Sequence, residues 1–311
     1  MKCLVTGGAG FIGSHLVESL LVKNHIVRVV DNFITGRMEN ILSFRDQVEF
    51  IDGDIRDFSL CRKIMEGIDW VFHQAALPSV PRSVKDPLLT NEINITGTLN
   101  LLLSARDGGV KKFVFASSSS VYGDNTQLPK KEEVVGKPLS PYAVSKRVGE
   151  FYCQVFSELY ELQTVSLRYF NIFGPRQDPA SQYAAVIPNF ISRMLQGKNP
   201  IIFGEGKQSR DFTFVENVVE ANLLAAQANN VSGRIFNIAC GKRTTILELT
   251  KKINYFLHLN IPPLFEAPRP GDVKHSFADI SQAEFYLKYK PGITFDQGLE
   301  KTILWYKQRN D

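Results

Sequence analysis

Tyr142 and Lys146 stand four residues apart in Tyr142-Ala143-Val144-Ser145-Lys146, a spacing that brings a phenol and an ammonium to one face of a helix. Tyrosine alone is a poor base at neutral pH, because its ordinary pKa is about 10, but a cation held beside it favours the phenolate. The pair reads as a general base with its activator. Upstream, an apolar run ends in Ser117-Ser118-Ser119-Ser120. If that run is a strand, its hydroxyls lie at the carboxyl edge of a sheet. One of them can then share a substrate alcohol's hydrogen bond with the phenolate, completing a Ser-Tyr-Lys arrangement. Tyr-x-x-x-Lys is common by chance, and most such pairs are a surface lysine beside a half-buried tyrosine. A plain serine-rich loop, however, explains neither the position nor the order of these residues.

A second constellation follows the first apolar run. Glycines 7, 10 and 13 of Gly7-Gly8-Ala9-Gly10-Phe11-Ile12-Gly13 let the backbone turn tightly, approach a pyrophosphate and pack helix on strand, while the helix N-terminus supplies amide donors. Asp31 ends the second apolar run, where a carboxylate can accept hydrogen bonds from an adenosine ribose and repel a 2′-phosphate, so NAD is favoured over NADP. The plain alternative is a structural turn with a solvated aspartate; strand, glycines, helix and acid in register count against it. Cys3, Cys61, Cys153 and Cys240 lie far apart with no C-x-x-C pair, which predicts four buried thiols in a reducing, cytoplasmic setting and no zinc or other metal site.

The elements that must carry these groups can be read from periodicity. Short runs rich in Val, Ile and Phe at Lys2–Thr6, Ile26–Asp31, 48–51, Trp70–His73, 112–117 and Thr164–Tyr169 alternate with helix-length stretches near 11–23, 57–66, 87–106 and 142–161. That is the pattern of a doubly wound parallel sheet covered on both faces, with ligands at the carboxyl ends of its strands. After Gly174-Pro175-Arg176 the elements shorten and Pro and Gly accumulate. The expected organisation is a dinucleotide-binding (Rossmann) domain over residues 1–174 and a smaller α/β substrate-binding cap over 175–311, with one or two later segments returning to the first domain. The chain of 311 residues, 44% hydrophobic and 22% charged, has room for both. Its formal charge of +4 includes no run of like charges that would suit nucleic acid. No uncharged apolar run of about 18 residues suggests a membrane span. Met1-Lys2-Cys3-Leu4 enters a core strand without a small-residue cleavage site, so no signal peptide is expected.

The spacing T-G-G-x-G-x-x-G resembles the short-chain dehydrogenase/reductase superfamily. Taken with Gly53-Asp54-Ile55-Arg56-Asp57, His73-Gln74-Ala75-Ala76, Ala116-Ser117-Ser118-Ser119-Ser120-Val121-Tyr122-Gly123, Ser140-Pro141-Tyr142, Arg168-Tyr169-Phe170-Asn171-Ile172-Phe173-Gly174, Ser209-Arg210-Asp211-Phe212 and Arg269-Pro270-Gly271-Asp272-Val273, it resembles over essentially the whole chain the extended branch, the NAD-dependent epimerase/dehydratase family. Within it, the chain looks most like UDP-N-acetylglucosamine 4-epimerases, themselves similar to UDP-galactose 4-epimerases. The resemblance implies that Ser118, Tyr142 and Lys146 are catalytic. It implies that Gly7, Gly10, Phe11, Ile12, Gly13, Asp31, Asn32, Asp54, Ile55, Ala75, Ala76, Asn94 and Tyr169 hold NAD with Tyr142 and Lys146. It implies that Asn171, Arg210 and Arg269 hold a UDP diphosphate, with Asp272 nearby, and that Ala185 and Val186 lie along the nucleotide. Guanidinium forks suit phosphate.

Several reactions are open to such a family. Members that dehydrate carry an acidic pair beside the catalytic Ser/Thr, and decarboxylating members a Glu where Ser120 stands; here those places hold Ser119 and Ser120, which would lie by the sugar. What remains is inversion at C4: Tyr142 takes the hydroxyl proton while NAD removes the hydride, the 4-keto sugar swings about its diphosphate, and hydride returns to the opposite face. Ser276 matches a place where a Tyr crowds the sugar's 2-position, so a small residue leaves room for an N-acetyl group. UDP-GlcNAc/UDP-GalNAc is the expected pair, with UDP-Glc/UDP-Gal also admitted. Pro78-Ser79-Val80-Pro81 and Ser181-Gln182-Tyr183-Ala184 look most like the N-acetyl group, and Ser79 is assigned to the sugar pocket. UDP-glucose and UDP-glucuronate 4-epimerases stay open as alternatives, as does a non-catalytic NAD-binding protein. Helices near 87–106 and 142–161 match those that pair similar proteins as homodimers.

Overall fold

The apolar runs pair as a seven-stranded, wholly parallel sheet in the computed structural model, which describes residues 1–179, 185–268 and 274–310. The strands are β1 (Lys2–Thr6), β2 (Ile26–Asp31), β3 (Glu49–Asp52), β4 (Trp70–His73), β5 (Lys112–Ser118), β6 (Thr164–Tyr169) and β7 (Arg234–Ile238), in the order β7-β6-β5-β4-β1-β2-β3. The principal helices are α1 (Phe11–Val22), α2 (Phe58–Ile64), α3 (Gly97–Asp107), α4 (Pro141–Tyr160), α5 (Val186–Leu195), α6 (Val215–Gln227), α7 (Ile246–Leu257) and α8 (Phe295–Asn310). Parallel neighbours need crossovers, and the crossover helices cover both faces. α1 and α6 bury Leu16, Val17, Val218 and Ala221 against one side with Val5 and Val29. α2, α3 and α4 bury Cys61, Leu101, Ala105 and Cys153 against the other with Phe113 and Phe115.

Two segments of the second half, α6 and β7, lie with the sheet: β7 pairs with β6 in the register Asn237 opposite Arg168. β3 runs one residue later than its apolar run suggested. The long helix expected near 87–106 is broken into Pro87–Asn91, a wider π turn at Glu92–Thr96, and α3. Such a bulge arises where a side chain is needed at an angle that a regular helix does not offer, and here it carries Asn94.

The cap packs α5, α7 and α8 around Ile187, Phe190, Leu249, Ile253 and Leu299. Phe173, Phe212, Phe214 and Phe295 stack edge and face beneath them. α7 starts in a capping box, with the Thr245 hydroxyl and the Glu248 carboxylate satisfying each other's amides. Three of the cysteines are buried, whereas Cys240 is half-buried, contrary to the expectation for all four. Among the described residues no helix is long and apolar enough to cross a membrane.

Candidate active site

The carboxyl ends of β1, β2, β4 and β5 open into a cleft of about 230 Å³. Its floor is the glycine loop. Gly7 has φ +70°, and a Cβ there would stand 2.7 Å from the Ala75 nitrogen; a Cβ on Gly13 would stand 2.1 Å from the Gly7 carbonyl oxygen. Backbone therefore occupies the space where side chains would otherwise be. Gly10 caps α1 without a side-chain acceptor, leaving the first amides of the helix for an anionic ligand. The Asp31 carboxylate accepts from the Ala9 amide at 2.9 Å and the Phe33 amide at 2.9 Å. Burial pushes its pKa up, and those amides pull the other way. A Gly-only cradle, a free helix N-terminus and a facing carboxylate fit a dinucleotide.

Gly7, Gly10, Phe11, Ile12, Gly13, Asp31, Asn32, Ile55, Ala75, Ala76, Tyr142, Lys146 and Tyr169 all line this one cleft. Asp54 and Asn94 stand behind it. Arg56 forks onto Asp54, and Asn32 Nδ2 donates to it at 2.9 Å, which holds its carboxyl below the usual range. Asn94 is buried with its amide spent: Oδ1 accepts from the Leu77 amide at 2.7 Å, and Nδ2 donates to the Leu77 carbonyl and to Ser145 Oγ. It braces the loop after β4. Gln74, which the sequence left without a role, also lines the cleft and donates to Tyr169 OH at 3.1 Å. Burial pushes that phenol up to about 12, so Tyr169 is a neutral hydrogen-bonding group. Thr35 and Leu77 were likewise missed; only their place beside Asp31 and Ala76 could have indicated them.

Tyr142 and Lys146 lie on α4, which begins with Ser140 Oγ accepting from the Ala143 amide at 3.1 Å and proline at the first turn. Lys146 is buried and donates through Nζ to the Ala116 carbonyl at 2.8 Å. Its Nζ lies 5.9 Å from the Tyr142 ring centre and 5.1 Å from that of Phe115. Burial lowers the Lys146 pKa to about 8. Ser118 ends β5, beside the Tyr142 hydroxyl. Burial raises the Tyr142 pKa and Ser118 opposes it. In the protein alone desolvation thus prevails, and what opposes it comes from Ser118 rather than from the cation that the spacing suggested. Behind the pair, His73 is fully buried between Thr6 Oγ1 at 2.8 Å and Thr98 Oγ1 at 2.9 Å, and burial lowers its pKa to about 3.

A second cleft, about 500 Å³, opens toward the cap and gathers Ser79, Asn171, Ala185, Val186 and Arg210. The two clefts adjoin through one loop, with Pro78 lining the first and Ser79 the second. Ser79 adopts φ +99° and Asn171 φ +40°, sparsely populated conformations for residues with side chains, which are typical of ligand sites. Asn171 Nδ2 donates to the Asp211 carbonyl at 3.0 Å and lies 3.4 Å from Ser276 Oγ, so Ser276 stands beside the cleft. Ser119 and Ser120 form the turn after Ser118, and the buried Ser120 Oγ has no protein partner. Arg269 and Asp272, and the stretch Ser181 to Ala184, lie outside the described residues. Phe203, Gln208 and Arg193 also line it; they come from separate cap segments with no local motif to mark them.

Residues 3–239 match the NAD dependent epimerase/dehydratase family. Among solved structures, the chain is 43% identical to a UDP-N-acetylglucosamine 4-epimerase of Methanobrevibacter ruminantium M1 in complex with UDP-N-acetylmuramic acid, covering 99% of this chain and 98% of that one with a TM-score of 0.95. It is 37% identical to a UDP-glucose 4-epimerase of Thermotoga maritima with UDP-glucose, over 100% of both chains and with a TM-score of 0.95. It is 35% identical to a UDP-glucuronic acid 4-epimerase of Bacillus cereus in complex with UDP-glucuronic acid and NAD, over 99% of this chain and 100% of that one, TM-score 0.92. On its glycine-loop cleft, its tyrosine–lysine helix and this likeness along its length, the chain belongs to the NAD-dependent epimerase/dehydratase family of extended short-chain dehydrogenases/reductases, with NAD as its coenzyme.

Proposed function

We propose that the protein reversibly inverts C4 of a UDP-hexose, with UDP-GlcNAc and UDP-GalNAc as its preferred pair. The observation that carries the reading is the meeting of the clefts: Tyr142 and Lys146 line the dinucleotide cleft, which adjoins through the Pro78–Ser79 loop a roomier one that gathers Asn171 and Arg210. Bound NAD supplies the hydride acceptor and, once reduced, the donor. Tyr142 takes the C4 hydroxyl proton, Ser118 holds that hydroxyl by hydrogen bonding, and the Lys146 ammonium stabilises the phenolate. Arg210 holds the diphosphate while the hexose turns. With Ser119 and Ser120 beside Ser118, no carboxylic acid adjoins the catalytic serine to drive dehydration or decarboxylation.

Ser276 supports the N-acetyl substrate because a small side chain beside Asn171 leaves room at the sugar's 2-position. Solved relatives named for UDP-glucose and UDP-glucuronic acid keep those substrates as competing outcomes. The test is incubation with UDP-GlcNAc, UDP-Glc and UDP-GlcA in turn, without added coenzyme, following the C4 epimers by NMR. Conversion of UDP-GlcNAc, abolished by Ser276→Tyr while UDP-Glc is still turned over, supports the reading. Conversion of UDP-Glc or UDP-GlcA alone overturns the sugar assignment, and no epimer of any of the three overturns the reaction. We further propose a homodimer: Val84 and Leu88, with Phe151, Val155 and Leu159 of α4, are exposed apolar side chains. Sedimentation at a single-chain mass would reject it.

A further inference from the structure

Ser117, Arg168 and Asn237 stand side by side across β5, β6 and β7, in a buried polar network that the chemistry above does not use. Arg168 and Glu150 are both fully buried. The guanidinium forks onto the carboxylate, Nε to Oε1 at 2.7 Å and Nη2 to Oε2 at 2.9 Å. Ser117 Oγ donates to Oε1 at 2.6 Å, and Arg147 Nη1 to Oε2 at 2.8 Å. Arg168 Nη1 also donates to Tyr122 OH at 3.0 Å, which in turn donates to Asn237 Oδ1 at 2.6 Å.

A buried ion pair is weak support for stability, because desolvation of two charges offsets their attraction and apolar residues of like volume often serve as well. Its place in the fold is more telling. Tyr142, Lys146 and Glu150 recur every four residues on one face of α4, and they meet three consecutive residues of β5. Tyr142 lies beside Ser118, Lys146 Nζ donates to the Ala116 carbonyl, and Glu150 accepts from Ser117. Glu150 is the third point by which the catalytic helix grips the strand end that presents Ser118.

We propose that Glu150, locked by Arg168, is a positioning residue: it fixes α4 on the end of β5 so that Ser118, Tyr142 and Lys146 keep their geometry, and its charge sustains the Lys146 ammonium. This rests on the epimerase reading. Burial draws the Lys146 pKa down to about 8, and Cys153 and, after it, Glu150 act against that fall. The other groups facing Lys146 are Tyr142 on its own helix, the Phe115 ring on β5 and, on β4, His73, which burial keeps neutral. Without the carboxylate, Arg147 and Arg168 would set two unbalanced positive charges beside this pocket.

The experiment measures kcat and KM for the UDP-hexose that the wild type converts, across a pH series, for Glu150→Gln beside wild type, with thermal melting to confirm folding. Expected are a fall in kcat of about tenfold, KM within about twofold, and a basic limb moved to lower pH, since Lys146 then loses its proton sooner. A wild-type kcat with an unmoved limb overturns the proposal. So does a fall in kcat with an unmoved limb, which is what general loosening produces. If Glu150→Gln does not fold, Ser117→Ala decides, since it removes one bond and no charge. A loss of about threefold in kcat at unchanged KM and NAD content supports the proposal, and a wild-type kcat overturns it. A wild type inactive on every UDP-hexose fails the functional reading itself and is seen before any variant is made.

Discussion

The sheet-edge cleft is lined by runs of neighbouring residues: Gly7 to Gly13 from one turn, Asp31 to Thr35 from the next, and Gln74 to Pro78 from a third. The cap cleft is lined by runs as well, 79–81, 171–173, 185–187 and 201–203, joined by single residues such as Arg193, Arg210 and Ile246. In the first, backbone amides and the absence of Cβ atoms create the site, and the strands behind them belong to one continuous sheet. In the second, side chains reach in from two-residue ladders such as Ser209–Arg210 against Thr244–Thr245 and from the ends of helices. The difference suits the chemistry proposed. A coenzyme that gives and takes back a hydride must be held immobile, whereas the substrate must be gripped at the nucleotide and left free at the sugar.

If that contrast holds, damage at the sheet edge abolishes turnover and damage in the cap weakens binding. Tyr142→Phe keeps the ring and removes the proton carrier, so kcat should fall by about 10³-fold with bound NAD retained; a loss below tenfold would remove Tyr142 from the role of base. Gly13→Ala drives a Cβ to within 2.1 Å of the Gly7 carbonyl oxygen, and overpacking of this kind costs about 1–3 kcal/mol or more. The purified variant should carry little NAD, read by absorbance after denaturation, and melt earlier. Arg210→Ala should raise KM by about 10- to 100-fold, the equivalent of one charge-assisted hydrogen bond, while kcat stays within about threefold. A kcat collapse there instead would mean that the cap takes part in the chemical step.

The smallest expected effect lies outside both clefts. Burial raises Glu132 to about 7, against amide donation from Asn237. A carboxyl whose folded pKa lies above its unfolded value binds extra protons when folded, so its contribution to stability is present at low pH and is lost as pH rises from about 4.5 through about 7. Glu132→Gln should therefore raise Tm by a few degrees at about pH 8 and leave it nearly unchanged at about pH 4. Equal shifts at both pH values would show that Glu132 does not titrate in this range.

The strands β1, β2, β4 and β6 were legible to the residue, because a strand buried on both faces is enriched in apolar and β-branched residues. The glycine loop and Tyr142-x-x-x-Lys146 were legible because their geometry is local: a turn of seven residues and a helix spacing of four need no distant partner to be recognised. Asn94 shows where that stops. It was expected to line the coenzyme groove; the structure uses its amide on Leu77 and Ser145, since the π turn that carries it aims it at a neighbouring loop. Arg193, Phe203 and Gln208 carried no signal, because cap segments converge only after folding. The Glu150–Arg168 pair was invisible for the same reason: one residue is on a helix, the other on a strand, and their meeting depends on how α4 lies over β5 and β6.

By itself, then, the amino-acid sequence determined the parallel sheet, the dinucleotide loop and the Tyr–Lys helix, all set by periodicity and by contacts within a few residues. The tertiary structure alone decided which later segments, α6 and β7, return to the sheet and that Asp54 is held by Arg56 and Asn32 behind the cleft. It also decided that burial raises the Tyr142 phenol while drawing Lys146 down to about 8. Those outcomes depend on desolvation and on long-range packing, which sum over every atom brought near and are written in no short stretch of chain.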